Sequence, residues 1–187
     1  MNAVLLDFPE RIETERLYIR PCQPGDGGAV FEAVEASRGE LAPWLPFAQK
    51  PMTREESEES VRRSYAKFIA REDIRLHIYR REDDRFIGST GLHRMNWNIP
   101  KFEIGYWIDS RWAKKGYMTE AVKGLTSFAF EYFSAKRVEI RCDPENAASR
   151  RIPEKLGFQL EGVLKNDSLS ADGLNVRDTC VFAKTVK

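Results

Sequence analysis

Residues 103–120, Glu-Ile-Gly-Tyr-Trp-Ile-Asp-Ser-Arg-Trp-Ala-Lys-Lys-Gly-Tyr-Met-Thr-Glu, leave few architectures open. Phe102, Ile104, Tyr106 and Ile108 alternate with Glu103, Gly105 and Trp107, which is the two-residue period of a strand. Met118, Ala121, Val122, Leu125, Phe128, Ala129 and Tyr132 then recur at helical spacing. A strand that runs through a short Gly-containing turn into a helix leaves the first amide N–H groups of that helix without acceptors, and such groups hold phosphate. Lys114 and Lys115 add positive charge at the same place. The chain is expected to grip a phosphorylated ligand end-on, beside a strand that carries Glu103.

The rest of the chain reads as alternating elements of the same kind. Arg16–Arg20 alternates polar and apolar residues before Pro21 and is expected to form a first strand. Asp26 is placed to cap a helix over about 28–37. Leu41-Ala-Pro-Trp-Leu-Pro-Phe47 is an aromatic loop broken by prolines. Thr53-Arg-Glu-Glu56 is a capping box opening a charged helix to about Arg71. Strands follow over 76–81 and 85–97, joined at Glu82-Asp83-Asp84, then the strand and helix described above, then a strand over 137–142. A short helix over 147–156 ends at Gly157, and strands over 158–169 and 175–184 flank Ala171-Asp172-Gly173. The predicted order, β-α-α-β-β-β-α-β-α-β-β, is that of a mixed α/β (α+β) domain with a largely antiparallel sheet.

Length and charge narrow the function. At 187 residues the chain is expected to be a single domain, residues 1–187, with a full core. A net charge of +1 gives no global field for nucleic acid or anionic membrane, so any anion site is local. Cys22, Cys142 and Cys180 form no CxxC pair, and His77 and His93 form no HxxxH, so no metal site is expected. The odd cysteine count, with neither a signal-peptide pattern nor a spanning apolar run, suits a reducing, cytoplasmic setting and no membrane association.

Four blocks, in this order and spacing, resemble the GNAT superfamily of acetyl-CoA-dependent N-acetyltransferases. Within it the chain is similar to the ribosomal-protein N-terminal acetyltransferases of the RimJ/RimL type. The blocks are Thr14-Glu-Arg-Leu17, Trp44-Leu-Pro46, Glu103–Ile108 through Gly116–Ala121, and Asn146-Ala-Ala-Ser-Arg-Arg-Ile-Pro-Glu-Lys-Leu-Gly-Phe158. The resemblance implies a GNAT-like fold with its sheet splayed at the cofactor site and acetyl-CoA as co-substrate. The family's Gln/Arg-x-x-Gly-x-Gly/Ala motif falls on Arg111 to Gly116, with Lys114 in the first glycine position; the turn is expected to persist with a slightly altered backbone. Lys114, Lys115, Gly116, Tyr117, Met118 and Thr119 would meet the pyrophosphate, with Arg111 beside them. The strand ending Tyr106-Trp107-Ile108 would carry the pantetheine arm along its free main-chain groups, with Asn146 and Ser149 close to it.

The implied reaction is acetyl transfer to an amine. By reference pKa values a protein α-amine is roughly 10% neutral at pH 7 and a lysine only about 0.04%, so an α-amine needs little help from a base. Glu103 is the candidate base, acting through a water, and His93 an alternative. A backbone N–H near Trp107 or Ile108 would meet the oxyanion. Relatives often supply a tyrosine to the leaving thiolate where this chain has Pro153; Ser149 or water is left for that role. Trp44, Phe47, Trp97 and His93 are candidates for the acceptor pocket; core packing accounts equally well for the aromatic three. Three readings stay open: an acetyltransferase for protein N-termini, one for a small amine, and a non-catalytic acyl-CoA-binding module. Relatives often dimerise, and no interface pattern stands out in the sequence.

Overall fold

A computed structural model describes residues 2–186. Eight strands, β1 (Ile12–Glu13), β2 (Leu17–Pro21), β3 (Ile74–Arg80), β4 (Phe86–Asn96), β5 (Lys101–Ile108), β6 (Arg137–Cys142), β7 (Gln159–Leu169) and β8 (Val176–Thr185), form one sheet in the order β1-β2-β3-β4-β5-β6-β8-β7. Four α-helices accompany it: α1 (Gly27–Leu41), α2 (Arg54–Ala70), α3 (Tyr117–Tyr132) and α4 (Ala147–Lys155). The order is the predicted one with β1 added; two residues are too few to show a period. Every neighbouring pair is antiparallel except β5 and β6, which α3 connects.

Alternation along the strands builds two cores. Leu76, Ile78, Phe102 and Ile104 point to one face and pack with Met118, Val122 and Leu125 of α3. Tyr79 and Phe86 point to the other and pack with Val30 and Val34 of α1 and Val61 of α2. The sheet thus separates an α3–α4 layer from an α1–α2 layer, and any ligand passing between the layers must cross the sheet.

Local signals explain most element ends. The Thr53 hydroxyl accepts from the Glu56 N–H at 3.1 Å and the Glu56 carboxylate accepts from the Thr53 N–H at 2.7 Å, completing the expected capping box. Gly157 ends α4 with φ +71°. Asp26 departs from expectation. It stands at the N-cap of α1 but makes no side-chain cap bond, because Arg20 (2.7 and 2.9 Å) and His77 Nδ1 (2.8 Å) claim its carboxylate. Glu58 of α2 takes over, accepting from the Gly25 and Gly27 N–H groups at 2.8 and 2.9 Å. Helix α1 also runs past Ser37, since the buried Ser37 hydroxyl accepts from the Ser110 N–H at 2.7 Å and Leu41 closes the helix against the core.

Candidate active site

The turn between β5 and α3 has an unusual hydrogen-bond inventory. Asp109 is fully buried and holds the Arg111 N–H (3.0 Å) and guanidinium (2.5 to 3.0 Å), which fixes the start of the turn. Lys114 has φ +61° and Gly116 φ +83°. The left-handed conformation therefore persists at Lys114 despite its Cβ, at a cost of roughly 1–2 kcal/mol. Among the described residues, no protein group accepts from the amide N–H groups of Lys114 through Thr119; the first bonded amide is Glu120, which donates to Gly116 O at 3.0 Å. Consecutive free amides at the N-terminus of a 16-residue helix, next to two lysines, make a ready anion cradle.

The block at residues 14–17 braces that cradle. Glu120 accepts from Thr14 Oγ1 (2.6 Å), the Arg16 N–H (2.8 Å) and Arg16 Nε (2.7 Å). Arg16 also donates to Lys115 O at 3.1 Å and stacks on Tyr117. The helix thus enters the cradle at an angle set by the first long strand. Glu120 did not stand out in the sequence as a site residue, because its partners lie more than a hundred positions away.

Beyond the cradle the sheet opens. β5 and β6 pair only at Lys101↔Arg137, Phe102↔Val138 and Glu103↔Glu139, while β4 stays paired with β5 up to Ile108. From Ile104 to Ile108 the β6-facing edge of β5 has no strand partner, as the resemblance implied. Tyr106, expected only to lend its main chain to the pantetheine edge, crosses this gap with its side chain. Pro153 sits inside α4 and has no N–H to give the carbonyl one turn earlier, that of Ser149. The Tyr106 hydroxyl donates to that carbonyl at 2.9 Å, and Ser149 Oγ donates to Tyr106 Oη at 3.3 Å. Burial pushes the Tyr106 phenol pKa up, so it stays protonated as a donor. Asn146 caps α4 by accepting from the Ser149 N–H at 3.0 Å.

On the α1–α2 face, two cavities meet at a cross-strand pair, His93 and Glu103. The first, about 310 Å³, lies between Pro43 and Trp44 on one side and Asp167–Ala171 of the final hairpin on the other, with Glu103, Arg141, Cys142 and Arg177 in its lining. Its charges are largely paired: Arg141 with Asp167 (3.0 Å), Arg177 with Asp143 (2.7 Å), Arg94 with Glu103 (3.4 Å). The Arg94–Glu103 contact lacks hydrogen-bond geometry, so Glu103 Oε2 is buried with no hydrogen-bond partner among the described residues. Burial raises the Glu103 pKa, opposed by Arg94 and Arg141. Cys142 has its thiol pushed up to about 12 by burial, which removes it as a nucleophile.

The second cavity, about 320 Å³, is lined by apolar residues such as Val30, Val34, Phe47 and Trp107, by the hydroxyls of Ser60 and Thr90, and by Arg75 and His93. His93 lies over two glycines. A Cβ at Gly91 would sit 2.8 Å from its ring and one at Gly105 3.1 Å from it, so only glycine leaves room for the imidazole. Asp73 holds His93 Nδ1 at 2.6 Å, which aims Nε2 away from Asp73. Asp73 was not foreseen; it lies in the connection before β3 and carries no local motif. Trp44 lines the first cavity and Phe47 the second. Trp97 lines neither: it packs on Phe102 and Phe133 and donates to Arg71 O at 3.3 Å, on the α3 side of the sheet. The alternation that should carry Trp97 to the His93 face is broken by the register shift between His93 and Asn96 and by Arg94 at φ +45°. Arg111 reaches the turn, but its guanidinium is spent on Asp109.

Comparison with known proteins agrees with this geometry. Residues 16–159 match the acetyltransferase (GNAT) domain family. The Bacillus subtilis protein YdaF, named as a candidate ribosomal N-acetyltransferase, is 32% identical over 165 residues, covering 86% of this chain and 87% of YdaF. Two solved structures share the fold. The RimL ribosomal-protein α-N-acetyltransferase in complex with coenzyme A superposes with a TM-score of 0.87 at 20% identity over 95% of this chain and 98% of that one. The microcin self-immunity acetyltransferase MccE, in complex with acetyl-CoA and AMP, gives 0.86 at 17% identity over 92% and 94%. With the free-amide turn, the opened sheet and a family match across most of its length, this chain belongs to the GNAT acetyltransferases.

Proposed function

We propose that this acetyltransferase moves the acetyl group of acetyl-CoA onto the N-terminal α-amine of a protein, a ribosomal protein being the first candidate. The observation that carries the reading is the first cavity. It opens between the Pro43–Trp44 loop and the Asp167–Ala171 hairpin, a slot that admits a chain end, and Glu103 is in its lining, with one buried carboxylate oxygen that accepts no hydrogen bond among the described residues. The name of YdaF, a relative across most of the chain, supports the ribosomal candidate.

Acetyl-CoA supplies an acyl thioester. The free amides from Lys114 to Thr119 fit its diphosphate, with Lys114 and Lys115 adding charge. The unpaired edge of β5 at Trp107 and Ile108 fits an amide-bearing arm as an added strand does. Asn146 and Ser149 stand at the far wall of the same gap. Glu103 takes the proton of the incoming ammonium through a water. Its raised pKa, caused by burial, strengthens it as a base. The Ser149 hydroxyl donates to Tyr106 Oη in the free protein and turns its O–H from there to the departing sulfur. His93, oriented by Asp73, flanks the amine and is the alternative base.

The test is to incubate the protein with labelled acetyl-CoA and cell extract and to map new acetyl groups by mass spectrometry. Acetylated protein N-termini, absent without enzyme, are expected. Labelled small amines with no labelled N-terminus would reverse the choice of acceptor.

A further inference from the structure

The second cavity contains a cation that the reaction above does not use. Arg75 lies on β3 opposite Gly91, which lies opposite Gly105 on β5, so one row of the sheet joins it to the strand of Glu103. Its guanidinium makes two hydrogen bonds, both through Nη1, to Ser60 Oγ at 3.2 Å and Ser64 Oγ at 3.5 Å. Nε and Nη2 have no partner among the described residues, and no carboxylate there forms an ion pair with Arg75. The nearby acids are already engaged: Asp73 with His93, and Asp26 with Arg20 and His77. Burial accordingly lowers the Arg75 pKa. The arginines of the first cavity present the opposite case, since each faces a carboxylate.

A half-buried guanidinium that lines a cavity, with donors to spare and no carboxylate paired to it among the described residues, is open to an incoming anion. The apolar walls of Val30, Val34, Leu45, Phe47, Met52 and Trp107 accept a short aliphatic stem, and Arg75 forms a fork for two oxygens. We propose that this cavity receives the first side chain of the acceptor and that Arg75 selects a carboxylate there, so that chains beginning with Asp or Glu are the preferred acceptors. The proposal rests on the reading of the acceptor as a protein α-amine held at Glu103, from which the second cavity is reached across the His93–Glu103 pair. Arg75 is a specificity residue in this scheme and takes no part in proton transfer.

The experiment measures kcat/KM for peptides of one common sequence that begin with Asp, Asn, Glu or Gln, together with free aspartate and glutamate, on wild-type protein and on Arg75→Met. In the wild type the acids should exceed their amide isosteres by about 10-fold or more, because a site built for a carboxylate leaves its arginine unpaired with an amide. In Arg75→Met that ratio should fall to near one. The ratio is taken within one preparation, so partial unfolding of the variant cancels, and the wild-type ratio stands without any variant. Equal rates for acids and isosteres in the wild type, or a preference that survives Arg75→Met, would overturn the proposal. Acetylation of free aspartate and glutamate but of no peptide, lost in Arg75→Met, would keep the anion site and remove the protein N-terminus as acceptor.

Discussion

At the C-terminal end of β5 the working groups are main-chain amides, presented by one turn and one helix start. At the other end they are side chains gathered from several elements: Glu103 from β5, His93 from β4, Asp73 from the connection before β3, Arg75 from β3, Trp44 from the loop after α1 and Asp167 from β7. In the proposed function the first region binds a group common to every acetyl-CoA molecule, and a backbone device suffices for that. The second must recognise an acceptor, and only side chains discriminate. A mutation at the first end should therefore change how tightly the cofactor is held for any acceptor, whereas a mutation at the second should change turnover and choice with cofactor affinity intact.

The largest effect expected at the acceptor end is that of Glu103→Gln, a fall in turnover of about 10²-fold or more with unchanged acetyl-CoA affinity. In the wild type kcat/KM should rise with pH through the raised Glu103 pKa, because the protonated carboxyl cannot accept the ammonium proton. The variant should lose that limb and keep the amine's own ionisation near pH 8. Unchanged turnover in Glu103→Gln, with a comparable loss in His93→Gln, would move the base to the Asp73–His93 pair.

A second effect sets the acceptor layer apart from the α3–α4 layer in its tolerance of acid. His77 is buried, its Nε2 has no partner among the described residues, and burial lowers its pKa from 6.5 to about 4. Its neutral form is the one that folds. Stability from this group is complete above pH 6.5, the unfolded value, and is lost as pH falls toward 4. Asp26, whose pKa is lowered by its bonds to His77 and Arg20 against the opposing effect of burial, adds a loss of the same sign that begins below 3.8. Thermal melts should show a steep drop between pH 6.5 and 4 that His77→Gln flattens. A flat wild-type profile over that interval would contradict this account of the α1–α2 layer.

How far each region could be read in advance follows from the same contrast. The cradle was legible because strand, turn and helix are contiguous, and periodicity alone locates free amides. The opening between β5 and β6 was reached through the resemblance. Glu103 and His93 were visible as residues, but their pairing across β4 and β5 depends on register. Asp73, Arg75, Glu120 and the side chain of Tyr106 were not singled out, since each acts through a partner on another element. Trp97 was misplaced because strand alternation assumes an unbroken strand, and β4 bends after His93.

The smallest effect lies where the two regions meet. Tyr106→Phe should cost about 1 kcal/mol by leaving the Ser149 carbonyl unpaired, and should slow turnover a few-fold by freeing the Ser149 hydroxyl, on the order of one lost hydrogen bond. In a Pro153→Ala background an amide N–H becomes available to that carbonyl, so the stability cost of Tyr106→Phe should shrink. A double-mutant cycle of thermal stabilities measures this coupling, and strict additivity would show that Tyr106 does not stand in for the missing N–H.

The central claim is that free amides from Lys114 to Thr119 hold the diphosphate of the cofactor. Calorimetric titration of the wild-type protein with coenzyme A and, in parallel, with pantetheine, which lacks the diphosphate, tests it most directly. Coenzyme A should bind about 100-fold more tightly or better, the equivalent of two charge-assisted hydrogen bonds. Equal affinities for the two, or no heat with coenzyme A from folded protein, would contradict it.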